Sequence, residues 1–169
     1  YNHSRLGFHT KSQASDYQLV REPIILGNGC DIKNYNFRLD AEGPLGWAGR
    51  LAPEKGLEDA AKVASLLGEQ LFVWGLLEDE AYLSKVEASV PPGTIKWCGF
   101  LDTDEFQKQL GQCRVLINTP KWNEAFGNVL MEAMANGCPV IAFNCKYGPS
   151  EMIINKKNGI LLNNIDVEG

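Results

Sequence analysis

From about Leu45 onward, short apolar runs alternate with longer amphipathic ones. That alternation is the pattern of βαβ units feeding a parallel sheet with helices on both faces. Residues 45–51 (LGWAGRL), 70–76 (QLFVWGL), 95–101 (IKWCGFL), 114–119 (RVLINT), 139–144 (PVIAFN) and 159–163 (GILLN) predict strands. The spacing of apolar positions predicts a helix over 56–68 stopped by Gly68 and another ahead of Pro91-Pro92. Asp102 or Thr103 is placed to cap a third helix, and Asn128 to cap a fourth that Gly137 ends. A short helix is expected in GPSEMIIN. Upstream, EPIILGNGCD (22–31) reads as one more strand running into a Gly/Asn turn. Residues 1–21 lack clear periodicity and read as a linker, or as the remnant of a helix belonging to preceding sequence.

At 169 residues the chain has room for one hydrophobic core and not for two full-sized ones. Residues 22–169 are expected to form that single domain. With 44% hydrophobic and 22% charged residues, the composition suggests neither disorder nor a fibrous repeat. No apolar run approaches the roughly 20 residues of a membrane span. A formal net charge of −5 without a Lys/Arg stripe argues against nucleic acid as a partner. The five scattered cysteines form no CxxC pair and have no histidine nearby to complete a zinc set. Reduced thiols in a cytoplasmic protein are the expected reading. His3 and His9, the only histidines, sit in the polar leader and supply neither a metal site nor a Ser/His pair. A chain that begins with Tyr1 and stops after an apolar segment reads as a piece of something longer.

In an open parallel sheet, the loops after the carboxyl ends of the strands form the ligand crevice. Two such loops carry unusual chemistry. In GRLAPEKG (49–56), Arg50 leaves a strand and Lys55 stands beside a helix start. A guanidinium fork, an ammonium and helix-start amides together suit a phosphate or diphosphate; the alternative is a solvated loop with two ordinary charges. In EAFGNVLME (124–132), Glu124 precedes the helix and Glu132 lies one turn inside it, on the side of Asn128. The amides of 127–130 would offer a site for negative charge. Direct contact between these carboxylates and a phosphate would cost roughly 2 kcal/mol for unit charges about 7 Å apart at an effective dielectric near 20. Hydroxyls beside the phosphate are the better partners, each charge-assisted bond contributing about 1.5–3 kcal/mol. A ligand with sugars on both sides of a diphosphate fits all these groups; the alternative is a pair of acids favoured by the helix dipole. A third loop, KWCGFLD (96–102), offers backbone groups to a nucleobase edge, although Trp97 and Phe100 are aromatic types that more often serve a core. GNG at 27–29 is not followed by a GxGxxG pattern, which disfavours a dinucleotide-dependent dehydrogenase.

In order, GRLAPEKG, GFL, EAFGNVLMEAMANGCPVIA and NGILL resemble the carboxyl-terminal, donor-binding domain of retaining GT-B glycosyltransferases of group-one type, and ILGNGCD resembles the turn that leads into it. The resemblance covers about residues 22–163. Its most specific part is the pair of glutamates eight positions apart followed by AMANGCPV. It implies a Rossmann-like parallel sheet with helices on both faces, one half of a GT-B fold. It further implies that Arg50 and Lys55 hold the donor diphosphate and that Glu124 contacts hydroxyls of the donor sugar. Phe126 and Gly127 would lie near that sugar, and Asn128, Val129 and Leu130 would turn helix-start amides toward the phosphates. Glu132 would accept from the ribose, and the backbone of Gly99, Phe100 and Leu101 would meet the base. No divalent metal and no cofactor are implied, the nucleotide-sugar being a substrate. The acceptor would bind a separate amino-terminal domain, absent here, through which peripheral membrane association would also act. Donor binding without transfer is therefore the expectation for this stretch alone. A nucleotide-sugar epimerase on the same two-domain plan, or a non-catalytic nucleotide- or sugar-binding module, are the alternatives.

Overall fold

The computed structural model describes residues 6–40 and 42–163. Calls on the polar leader through residue 5, including His3, and on the last six residues lie outside them. A two-stranded parallel ribbon comes first, formed by β1 (Gly7–Phe8) and β2 (Ile24–Ile25) on either side of the short helix α1 (Lys11–Ser15). The main sheet follows: β3 (Leu45–Ala48), β4 (Leu71–Trp74), β5 (Ile95–Gly99), β6 (Val115–Asn118), β7 (Val140–Phe143) and β8 (Ile160–Leu162), interleaved with helices α2 (Leu57–Leu67), α3 (Glu80–Ala88), α4 (Thr103–Leu110), α5 (Asn128–Ala135) and α6 (Gly148–Met152). All its pairings are parallel, in the spatial order β5-β4-β3-β6-β7-β8. The chain thus winds outward from β3 to β5, returns past β3, and winds outward again from β6 to β8. The reversal between β3 and β6 is the switch point at which open α/β sheets bind ligands.

The two-residue period of the strands divides the core. Leu45, Trp47, Val73 and Ile117 pack against Leu57, Ala60, Ala61 and Ala64 of α2 and Tyr82, Leu83 and Val86 of α3. On the opposite face Ala48, Trp74, Leu116, Val140 and Ala142 meet Leu110 of α4 and Leu130 and Ala133 of α5. Buried positions 57, 60, 61 and 64 recur as one helical stripe, and its three alanines let α2 lie close on the sheet. Gly68, at φ 67°, ends that helix in the left-handed region as expected. Asp79 caps α3 by accepting from the Tyr82 N–H, and Asp102, rather than Thr103, caps α4 by accepting from the Glu105 N–H; both bonds are 2.9 Å.

Two expectations change. The strands end earlier than their apolar runs because the backbones of Gly49 and Gly75 nearly touch: a Cβ at Gly75, whose φ is 143°, would fall 1.8 Å from the Gly49 carbonyl oxygen. Pairing resumes beyond them as a single bridge, Leu51 to Leu77. The second concerns 22–31, whose strand belongs to the separate ribbon and not to the main sheet. The ribbon straddles position 21, so the leader holds regular structure that is too short to show a period. It is tied to the domain, with Thr10 buried, Ser12 donating to Glu151, Asp16 accepting from Lys146, and the His9 ring 5.9 Å from that of Phe126.

Candidate active site

A cleft of about 470 Å³ opens at the carboxyl ends of β3, β4 and β6. The loop after β3 enters it with Arg50 and Lys55, the loop after β6 with Glu124, and the start of α5 with Gly127, Asn128, Val129 and Glu132. Phe100 and Leu101 close one side. Four charged side chains from three segments therefore share one cavity.

The loops after β3 and β6 are strapped together through the backbone. Gly56 takes φ 67°, and a Cβ there would lie 2.0 Å from the Thr119 carbonyl oxygen. The Thr119 hydroxyl donates to the Gly56 carbonyl at 2.7 Å and accepts from Trp47 Nε1 at 3.2 Å, while the Lys121 N–H donates to the Glu54 carbonyl at 2.9 Å. This puts Lys55 opposite Glu124, Nζ to Oε2 at 2.6 Å, with both side chains largely buried. Trp122 supports the pair: its Nε1 donates to the same Glu124 oxygen at 3.0 Å, and Lys55 Nζ stands 4.5 Å above its ring centre.

Arg50 is also paired. Its guanidinium donates to Glu78 at 2.7 Å and to Glu54 at 2.9 Å. The Glu78 bond is the main reason its already high pKa is raised further. Both cations predicted for the phosphates thus carry carboxylate partners.

Glu132 lines the cleft and does not point into the core. Burial pushes its carboxyl pKa above the usual value, and the nearby Gln107 amide partly opposes that rise. Asn128 does not cap α5. Gly127 occupies the cap position at φ 87°, and the Asn128 side-chain oxygen accepts from Asn28 Nδ2 at 2.5 Å, which anchors the GNG turn beside the site. The Asn128 and Val129 amides are the ones a helix start leaves without intrahelical acceptors.

Three predicted residues are not brought into the cavity. Leu130 is fully buried in the core and its N–H donates to the Gly127 carbonyl at 3.0 Å. Phe126 packs backbone-to-backbone on Gly148 and presents its ring to His9. Gly99 is engaged by sheet pairing, its carbonyl accepting from the Gly75 N–H at 3.0 Å. Of the two doubtful aromatics, Trp97 packs on the core while Phe100 is 75% exposed at the cleft.

Other residues enter without a strong sequence signal. Trp74 and Phe106, rings 6.1 Å apart, supply an apolar wall. Glu78 and Trp122 act on the charged pairs from neighbouring loops. Only Glu54, four residues from Arg50, has a spacing that announces its partner. Among the described residues, no group of three or more His, Cys, Asp or Glu is arranged to hold a metal ion.

A Rossmann-like parallel sheet with a charged cleft at its switch point is one half of a GT-B fold. The chain belongs to the group 1 glycosyl transferases, the family that residues 44–169 match. It is 27% identical over 152 residues to a poly(ribitol-phosphate) α-N-acetylglucosaminyltransferase of Staphylococcus aureus, covering 88% of this chain and 31% of that protein. A poly(glycerol-phosphate) α-glucosyltransferase of Bacillus subtilis is 31% identical over 127 residues, covering 70% and 18%. The fold is shared with a point mutant of S. aureus TarM, solved in complex with fondaparinux, α-GlcNAc-glycerol and UDP, at a TM-score of 0.82 and 24% identity over 96% of this chain and 34% of that one. The chain thus spans less than a third of the length of these two curated relatives.

Proposed function

We propose that the protein transfers a sugar, with retention at the anomeric carbon, from a nucleotide-sugar to an acceptor held by a separate amino-terminal domain. The present domain recognises the donor and stabilises the leaving nucleoside diphosphate. The observation that carries this reading is the convergence of Arg50, Lys55, Glu124, Glu132 and the start of α5 on one cleft. The UDP present in the TarM structure supports it.

The existing pairs suggest how the donor is received. As the diphosphate enters, Arg50 leaves Glu78 and Lys55 leaves Glu124, so both cations meet the phosphates alongside the α5 amides. Glu124 is released in the same step to accept from hydroxyls of the donor sugar, and Glu132 accepts from the ribose. Charge growing on the leaving phosphate is then met by groups already in place, without a divalent metal. A cytoplasmic protein, with peripheral membrane attachment where the acceptor is a lipid, is part of the proposal. No helix among the described residues is long and apolar enough to cross a membrane.

Calorimetric titration of the full-length protein with UDP-, GDP- and ADP-sugars tests the reading directly. Saturable binding of at least one donor is expected, with Arg50→Ala lowering turnover by about 10²–10³-fold, the scale of losing one preorganised charge-stabilising group. A folded full-length protein that binds none of the panel and transfers no sugar would overturn it.

A further inference from the structure

Beneath the cleft lies a short chain of buried amides that the donor contacts do not use. Gln107 of α4 is 6% exposed and Asn136, at the end of α5, is 1% exposed. Asn136 Nδ2 donates to Gln107 Oε1 at 2.6 Å and to the Glu132 carbonyl at 3.0 Å, while its own oxygen accepts from the Asn36 N–H at 3.3 Å. These bonds fix which way the Gln107 amide faces. Its other arm, Nε2, is a buried donor that makes no hydrogen bond. Buried donors without partners are uncommon and costly, at about 1–3 kcal/mol each, so this one calls for an acceptor. Glu132 and Asn136 are four residues apart on one helix, so the Gln107 amide that Asn136 anchors packs against the helix face that carries the Glu132 carboxyl. The influence of Gln107 on that carboxyl, favouring its charged form, agrees with this placement.

We propose that Gln107 is a positioning residue for Glu132: anchored on Asn136 through Oε1, it donates from Nε2 to one Glu132 oxygen while a ribose diol of the donor takes the other. This rests on the donor-site reading above. A carboxylate held from below is charged and fixed in direction before the nucleotide arrives, so less of the binding free energy goes into ordering it. It also explains why a glutamine is buried between two helices that could have packed with an apolar side chain. The other groups facing Glu132 are Tyr35, from the segment before the main sheet, and, within the cleft, Arg50, Lys55 and Glu124. Burial and the Glu132 charge both raise the Tyr35 pKa, so the phenol stays neutral wherever the carboxyl titrates.

The test is the pH dependence of nucleoside diphosphate affinity in the full-length protein, using whichever of UDP, GDP and ADP binds most tightly. Affinity in the natural protein should fall on the acid side as Glu132 takes up a proton, and Glu132→Gln should flatten that profile. Gln107→Met, close in shape but without the amide, should weaken binding about tenfold near neutrality, the loss of one charge-assisted bond, and move the acid limb to higher pH. Gln107→Glu keeps an oxygen for Asn136 and replaces the donor by a like charge, so it should move the limb further; it also serves should the methionine variant fail to fold. A uniform loss with an unmoved limb in the folded variants would make Gln107 a packing residue and overturn the proposal. If no nucleoside diphosphate binds the natural protein at any pH, the donor-site reading itself falls, a result distinct from the first.

Discussion

At the scale of single residues, the cleft is a set of acids and bases that satisfy one another. Glu78 is the clearest case. Its pair with Arg50 is partly exposed, and exposed pairs contribute only about 0–1 kcal/mol. Glu78→Gln should therefore leave the melting temperature nearly unchanged while strengthening nucleoside diphosphate binding by up to about fivefold, measured by calorimetry. Glu132 shows the opposite balance. Its folded pKa lies above the ordinary 4.5, so the native state binds the proton more tightly than the unfolded chain does. Stability is then lost as pH rises from the ordinary value through the raised one. Glu132→Gln, which stays neutral, should be more stable than the natural protein toward urea at neutral pH. The difference should vanish below the ordinary carboxyl range, even as nucleotide affinity at neutral pH is lowered. Equal urea midpoints at neutral pH would contradict this account of the Glu132 environment.

At the scale of elements, the site exists because three strand ends and one helix start are held in register by close backbone contacts. Gly75 approaches Gly49, and Gly56 approaches Thr119, more closely than any side chain would allow. Gly75→Ala has no space for its methyl group and sits at a φ that other residues avoid. It should cost more than the roughly 1–3 kcal/mol of backbone strain alone, as read by denaturant unfolding, and should displace the loop that carries Arg50. The elements themselves were largely legible in the chain. All six strands of the main sheet and the helices α2 to α6 lie where the periodicity predicts, because each buries a stripe or a face that local sequence displays. β1 and α1 were not legible, since residues 1–21 display no clear period, whereas β2 lies inside the 22–31 stretch that reads as a strand.

At the scale of the whole molecule, a strand order that reverses between β3 and β6 brings segments about 70 residues apart in sequence to one cavity. A ligand that bridges the loops after β3 and β6 and the start of α5 should tie the two halves of the sheet together. If the nucleotide binds only the native state, a hundredfold excess over its dissociation constant should add about 2.7 kcal/mol to stability. The melting temperature should rise with UDP, GDP or ADP concentration, and Arg50→Ala should blunt the rise. An Arg50→Ala protein showing the same rise would place the nucleotide somewhere other than this cleft.

Sequence alone determined the alternating α/β architecture, the helix stops at Gly68 and Gly137, and the carriers of charge, Arg50, Lys55, Glu124 and Glu132. Those follow from local period, turn chemistry and residue type, which neighbouring positions display. Tertiary structure alone decided the pairing: Lys55 with Glu124 rather than apart from it, Arg50 with Glu78, Asn128 with Asn28 in place of a helix cap, and Leu130 in the core. Hydrogen bonds and ion pairs act over about 3–4 Å, and which groups come within that distance is set by the winding of the sheet, not by their separation along the chain.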